Sequence, residues 1–202
     1  QNQLLSPGGS VVAACSGGPD SLALLHVFLR LRAVYDLDLI CAHFEHGIRG
    51  AASLADADFV ADFCQQHAVA FRLGAADVPV WAKRHHQSLE TAARTLRYQF
   101  LTQVKETMGA ARILTAHHAD DQAETVLMHL LRGTGSEGLM GMCVVRGAIA
   151  RPFLSVTRAE IESYCARHGL QPRQDATNAV LDCTRNRLRL ELLPELRTTY
   201  NP

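Results

Sequence analysis

At 202 residues, 48% of them hydrophobic and 20% charged, the chain has the size and balance of one soluble α/β domain with a sizeable core. Lysine plus arginine equals aspartate plus glutamate, 20 against 20, which excludes a global basic field; a nucleic-acid partner must be met by a local patch or by another domain. No apolar run reaches the ~18–20 residues of a membrane span, and six scattered cysteines with no CxxC pair and no signal peptide predict reduced, buried thiols in a cytoplasmic protein.

In chain order, residues 11–15 (VVAAC) predict a strand buried on both faces. Ser16, Gly17, Gly18, Pro19, Asp20 and Ser21 follow, and then Leu22, Leu24, Leu25, Phe28, Leu29 and Leu31 recur at helical spacing. A strand, a glycine-rich turn and a helix aim free backbone N–H groups and the positive end of a helix dipole at one point, which suits a phosphate. Gly17 and Gly18 permit positive φ and close approach of backbone to ligand. Ser16 and Ser21 add hydroxyl donors, and Asp20 can hold a metal ion or water beside the anion. The turn is neither a Walker A loop nor a GxGxxG fingerprint, and taken alone it also fits a plain Ser/Gly/Pro turn.

Residues 37–43 (LDLICAH) predict a second strand, with His43, Phe44, Glu45, His46, Gly47, Ile48 and Arg49 at its end. A helix is expected over 53–67, a third strand over 68–73, a helix over 89–108 capped by Ser88, and a fourth strand over 111–116. Residues 81–86 have no clear assignment; His85 and His86 lack supporting acids and read as surface. Asp120 or Asp121 caps a helix that runs to Gly133, residues 133–138 read as a loop mobile without ligand, and 144–150 predict a fifth strand. A helix capped by Thr157 runs to Gly169, residues 171–178 read as loop, and 184–193 read as a helix broken at Pro194. Strands alternating with helices imply a doubly wound parallel five-stranded sheet with helices on both faces, and ligands in such sheets bind beyond the C-terminal strand ends. The polar clusters after the first, second and fourth strands all fall there.

His117, His118, Asp120, Asp121 and Glu124 lie close together, and Asp121 and Glu124 share a helix face, so two carboxylates can meet one cation or ammonium group. Acids favoured by a helix dipole give the same pattern. Adjacent histidines on a strand point to opposite faces, so Mg²⁺ held by oxygen fits better than an all-protein zinc site. Arg94, Arg97 and Tyr98 follow Glu90 at helical spacing. The two arginines suit either a phosphate clamp or a salt-bridged face. Arg185, Asn186, Arg187 and Arg189 form one basic run that suits RNA phosphates, the nucleotide, or simply solvent.

Taken in order, S-G-G-P-D-S, H-F-E-H-G-I-R-G, E-T-A-A-R-T-L-R-Y, A-H-H-A-D-D-Q-A-E-T, L-L-R-G-T-G-S-E-G-L-M-G-M, R-P-F-L, D-A-T-N and R-N-R-L-R make the chain resemble the N-terminal domain of the tRNA(Ile)-lysidine synthase family from about Ser16 to Pro202. The first motif resembles the PP-loop of ATP pyrophosphatases. The resemblance implies a catalytic PP-loop domain over 1–182, followed by a helical segment, 183–202, leading to tRNA-binding domains. It implies a ligase forming a carbon–nitrogen bond: ATP adenylates the wobble cytidine of tRNA(Ile) with a CAU anticodon, and free L-lysine displaces AMP to give lysidine. ATP and Mg²⁺ are the implied cofactors.

The same resemblance gives the PP-loop, Ser16 to Ser21, the pyrophosphate, and gives Asp20 and Asp121 the metal. His43 and Arg94 go to the nucleotide, Arg94 to its α-phosphate, and His117 to base contact or proton transfer. Asp121 and Glu124 alternatively receive the lysine ammonium group. His46, Arg49, Arg97, Arg185, Asn186 and Arg189 serve the tRNA side or the adenylate. Two departures stand out. Glu45 replaces the family's usual Asp, and Arg173-Gln174 precede Asp175 where an aromatic is common. Without further domains, such a chain is expected to bind ATP and hold tRNA weakly. The oligomeric state is open, a homodimer being one option. The rival readings are a tRNA thiolation enzyme, disfavoured by the missing CxxC, an amidotransferase-linked synthetase, and a non-catalytic nucleotide-binding module.

Overall fold

The computed structural model describes residues 7–173 and 184–200. At its centre lies β1 (Ser10–Ala14), in which Val11, Val12 and Ala13 are all buried. Side chains alternate across a strand, so a run that is apolar at every position must be covered on both faces. Val11 and Ala13 meet Leu24, Leu25 and Phe28 of α1 (Pro19–Tyr35) and Val60 and Cys64 of α2 (Ala51–Gln66). Val12 instead meets Leu101 and Val104 of α4 (Leu89–Thr107) on the opposite face.

On one side β1 pairs in parallel with β2 (Asp38–Glu45), which pairs with β3 (Ala70–Ala75). On the other side it pairs with β4 (Arg112–Leu114). The predicted fifth strand over 144–150 is a hairpin instead. Gly147, at φ 58, turns the chain between β5 (Val145–Arg146) and β6 (Ile149–Ala150), a left-handed turn that glycine adopts without a Cβ clash. The sheet therefore has six strands in the order β3-β2-β1-β4-β6-β5, all parallel except β5 against β6.

Several local expectations shift for identifiable reasons. The unassigned stretch before His85 is helix α3 (Val78–Arg84): Asp77 accepts the Val80 N–H at 3.0 Å, and Pro79 lies in the first turn, where its missing N–H is harmless. Ser88 caps α4 as expected, accepting from Thr91 N at 3.2 Å. Helix α5 (Ala119–Leu131) has His118 rather than Asp120 or Asp121 at its N-cap, so it starts two to three residues earlier than expected. Asp121 sits within its first turn and accepts the His118 N–H at 3.1 Å. Part of the expected 133–138 loop winds into α6 (Ser136–Leu139), while α7 (Arg158–Arg167) begins behind Thr157 as expected.

The last stretch does not break at Pro194. It runs from α8 (Thr184–Arg187) through a π-type turn (Leu188–Leu192), α9 (Leu193–Glu195) and a second π-type turn (Leu196–Tyr200). Pro194 thus opens a new α turn, where proline is tolerated. The described cysteines are free thiols; Cys15, Cys41, Cys64 and Cys165 are buried, but Cys143, on the loop before β5, is exposed, against the expectation of burial. Cys183 lies outside the described residues, as does most of the expected 171–178 loop. No described helix is long and apolar enough to cross a membrane.

Candidate active site

The turn after β1 is held in shape before any ligand arrives. The Ser21 hydroxyl donates to the Gly18 carbonyl at 3.1 Å and accepts the Ser16 N–H at 3.1 Å, with Ser16 Oγ also 3.1 Å away. Gly17 takes φ +89, a conformation L side chains rarely adopt, whereas a Cβ there would meet Val60 and Phe59 only at ordinary contact distances of 3.4 and 3.5 Å. Pro19 fixes the first turn of α1, with Gly18 as the residue before it. A β-strand, a cross-braced turn and a helix N-terminus are thereby aimed at one open volume.

That volume is a cavity of about 350 Å³ at the C-terminal ends of the parallel strands, the range of a nucleotide-sized ligand. Ser16, Gly18, Asp20 and Ser21 line it together with His46, Arg94, Arg97, His117, Asp121 and Arg185. Five separate stretches of sequence thus meet at one site. Arg94 and Arg97, both lining the cavity, are set on α4 with their guanidinium carbons 5.0 and 5.3 Å from the Tyr98 ring centre. His46 enters with its ring 5.0 Å from Phe44, and its Nδ1 is buried without a partner. Burial first, and then Arg97 nearby, lower its pKa.

Asp20 is the most exacting residue of the site. Its Oδ1 is buried without a hydrogen-bond partner. Its Oδ2 lies 3.7 Å from His118 Nε2. Burial raises its pKa, partly opposed by His118, Arg158 and Arg189, and reinforced by Asp121. An orphaned carboxylate oxygen facing a phosphate-binding turn fits a hard cation such as Mg²⁺. Asp121 fits less simply, because its Oδ2 accepts the His118 N–H and its Oδ1 accepts Arg185 Nη2 at 2.9 Å.

Glu124 is fully buried, and both its oxygens are engaged. Oε2 accepts Arg185 Nε at 2.6 Å and Oε1 accepts Arg189 Nε at 2.6 Å, with a further Arg189 contact at 3.1 Å. Arg185 therefore reaches the cavity wall, whereas Arg189 and Asn186 do not line it. Nor does His43: it is buried and its Nδ1 lies 2.9 Å from the Cys15 carbonyl, bracing the end of β1 from the neighbouring strand. Arg49 turns to Asp56 of α2 at 2.8 Å.

Adjacent histidines divide as alternation requires. His117 lines the cavity, while His118 is buried among Asp20, Asp120 and Asp121 at 3.5–3.7 Å. Sequence reasoning named His118 but gave it no task. It also missed Asp56, which holds both Arg49 and Arg173 (2.9 Å), while the Arg173 N–H donates to the Gly17 carbonyl at 2.9 Å. Arg173, within the segment whose role the sequence left open, is thereby clamped against the phosphate turn. Arg49 lies seven residues from Asp56, but Arg173 lies 117 residues away, and an acid on a helix face carries no local signal of a partner so remote.

His117 is held mainly neutral. Burial, opposed by Asp121 and reinforced by Arg151, Arg97 and Arg94, lowers its pKa from 6.5 to about 4. Between these values the unfolded chain binds a proton that the folded one refuses, so stability is full above pH 6.5 and falls as pH drops towards 4. Chemical denaturation at stepped pH is expected to show the unfolding midpoint declining across that window, with a shallower decline in His117→Gln.

Comparison with known proteins follows the same outline. The profile of the PP-loop domain matches residues 2–196. The chain is 48% identical over 201 residues to the tRNA(Ile)-lysidine synthase of Symbiobacterium thermophilum, covering 98% of this chain and 42% of that protein. It is 45% identical over 201 residues to that of Geobacillus kaustophilus, covering 98% and 43%. The chain thus spans less than half the length of these relatives. Among solved structures, it superposes with a TM-score of 0.80 on the U34-tRNA thiolase NcsA from Methanococcus maripaludis, which carries a 4Fe-4S cluster, covering 100% of this chain and 70% of that one. At 16% identity this likeness speaks to the fold alone.

Proposed function

The chain belongs to the PP-loop domain family, and on that premise we propose that it is the catalytic domain of a tRNA(Ile)-lysidine synthase. The observation that carries the proposal is the braced Ser16–Ser21 turn opening into a cavity that also gathers Arg94, His117, Asp121 and Arg185. The proposed substrates are ATP, tRNA(Ile) with a CAU anticodon and L-lysine, in the cytoplasm. The division into a catalytic part, 1–182, and a segment leading towards tRNA-binding domains, 183–202, belongs to the same proposal, although Arg185, Arg189 and Arg197 tie that segment to α5.

In the first step the wobble cytidine's carbonyl oxygen attacks the α-phosphorus of ATP and pyrophosphate leaves. The Ser16–Ser21 turn receives the pyrophosphate through its N–H groups and hydroxyls, and Arg94 meets the charge on the α-phosphate. In the second step the lysine ε-amine attacks the carbon bearing that oxygen, AMP leaves, and the nitrogen gives up a proton. His117, neutral near pH 7, offers a ring nitrogen for that proton or for the base; its Nδ1 is already 2.9 Å from Thr115 Oγ1, which leaves Nε2 for the task. Mg²⁺ held by Asp20, with Asp121 contributing a remaining lone pair, would supply positive charge beside the leaving pyrophosphate. Asp121, on the cavity wall, is also the carboxylate a lysine ammonium group can reach; Glu124 is reached only if Arg185 and Arg189 withdraw. No covalent nucleophile is required, so positioning and electrostatics carry the rate.

The thiolation reading asks for paired cysteines at the site. Of the described cysteines only Cys15 lines the cavity, and its Sγ lies against Ser21 Oγ at 3.8 Å. The test is release of pyrophosphate from ATP with and without lysine, using unmodified isoleucine tRNA and a full-length parent beside this chain. Labelled lysine entering the tRNA is the expected result. Pyrophosphate release with no lysine incorporated by the full-length protein would overturn the substrate and leave the nucleotide chemistry.

A further inference from the structure

We infer that the exposed end of α3, carrying Lys83 and Arg84, is a track for the RNA phosphates that flank the nucleotide entering the cavity; this rests on the proposed tRNA substrate. A cavity of about 350 Å³ admits a nucleotide-sized ligand and not the chain on either side of it. Those flanking phosphates must lie on the surface around the mouth, and in RNA recognition they are met by lysine and arginine.

The chain as a whole offers no basic field, its charges being balanced at 20 and 20, so any phosphate track must be local. The stretch 78–88 (VPVWAKRHHQS) contains Lys83, Arg84, His85 and His86 and no acid. All four are exposed, and among the described residues neither Lys83 nor Arg84 has an ion pair or a side-chain hydrogen bond. The bracketing acids are Asp77, exposed but with Oδ1 engaged in capping the Val80 N–H at 3.0 Å, and Glu90 in the first turn of α4. Most other arginines around the site are spent on carboxylates: Arg49 on Asp56, Arg185 on Asp121 and Glu124, Arg197 on Asp120.

The patch is also rigidly tied to the cavity. Val78 N–H donates to the His46 carbonyl at 3.1 Å, and Gly47, at φ +65, packs so closely that a Cβ would lie 2.9 Å from the Ala76 carbonyl. Trp81 packs in one cluster with Phe44, Ala93 and Leu96, and Phe44 itself lines the cavity. On its other side Trp81 stacks on His85, ring centres 3.9 Å apart and 18° from parallel, which fixes the helix end that presents Lys83 and Arg84. An RNA strand leaving the cavity past His46 and Arg97 meets this helix next.

Trp81 is the only tryptophan of the chain, so its fluorescence reports on this patch. The experiment titrates the chain with unmodified isoleucine tRNA and with an unrelated tRNA at several salt concentrations, for the wild type, for Lys83→Ala/Arg84→Ala, and for Arg30→Ala/Arg167→Ala. The last pair lies on α1 and α7, away from α3 and α4, and removes the same charge. Wild-type fluorescence is expected to change on binding. The patch variant is expected to bind both tRNAs roughly tenfold more weakly, with the slope of log K against log salt shallower by about 1.4, the loss of two single-strand phosphate contacts. The Arg30/Arg167 variant is expected to match the wild type. If both double variants behave alike while the wild type binds tRNA, the patch is overturned and the proposed function stands. If the wild type binds neither tRNA even at low salt, the patch is overturned, and the proposed function is decided separately by lysine incorporation in the full-length parent.

Discussion

Asp20→Asn is expected to remove pyrophosphate release, by a factor of about 10²–10³, while leaving the protein as stable as before or more so. The two effects have one cause. Asp20 is held where burial raises its pKa, so at neutral pH its charged form is tolerated at a cost to the fold. The sign follows from linkage: a folded-state pKa raised above the unfolded value contributes stability at low pH, and that contribution is lost as pH rises through the folded pKa. Asparagine keeps the shape and removes the charge. It relieves the buried, unpartnered Oδ1 of its need for a cation. It also removes the group that would hold Mg²⁺ beside the pyrophosphate. The measurement pairs thermal unfolding with ATP-dependent pyrophosphate release across a Mg²⁺ titration. Retained release with unchanged metal dependence would show that the backbone turn and Arg94 suffice and that Asp20 serves only the first turn of α1.

What the sequence made legible is local. A five-residue apolar run, two glycines and a leucine-periodic stretch specify strand, turn and helix from nearest neighbours alone, and β1 to α1 formed as expected. The convergence of separate clusters on one cavity followed from a rule about parallel sheets, which places the ends of β1, β2 and β4 side by side. Helix α3 was also legible in principle, since Asp77 and Pro79 are an N-terminal signal, but the polar residues after Trp81 obscured it. The remaining differences come from contacts remote in sequence. Alternation says that His117 and His118 point apart, and only the packed helices decide which of them faces the cavity. Arg185 and Arg189 meet an acid more than sixty residues away, and Arg173 meets Asp56 across more than a hundred. No spacing rule reaches that far. The 144–150 hairpin is the converse case: its residues suit a strand, and one glycine with φ 58 turns it back on itself.

Glu124→Ala is expected to act on the fold first and on turnover only as a consequence. Glu124 is completely buried and shares its two oxygens between Arg185 and Arg189, which carry the C-terminal helical segment onto α5. Removing Glu124 from this buried ion cluster leaves Asp121 alone to meet both guanidinium groups, a loss of about 3 kcal/mol after allowing for the partial exposure of both. For a chain of this size that corresponds to a fall of roughly 6–12 °C in the unfolding midpoint. Hydrogen exchange should rise along 184–200 before it rises in the sheet, because the segment's anchor has gone. Asp121→Asn makes the contrast. Asp121 lines the cavity, so its loss should reduce turnover and weaken the use of lysine while shifting the midpoint little. The opposite pattern, an intact midpoint and a raised lysine KM in Glu124→Ala, would mean that Arg185 and Arg189 withdraw during the reaction and that Glu124 itself receives the ammonium group. The two carboxylates are one helical turn apart and were equivalent on spacing alone. Burial separates them: the one on the cavity wall is available to a substrate, and the one beneath it holds the arginine that completes that wall.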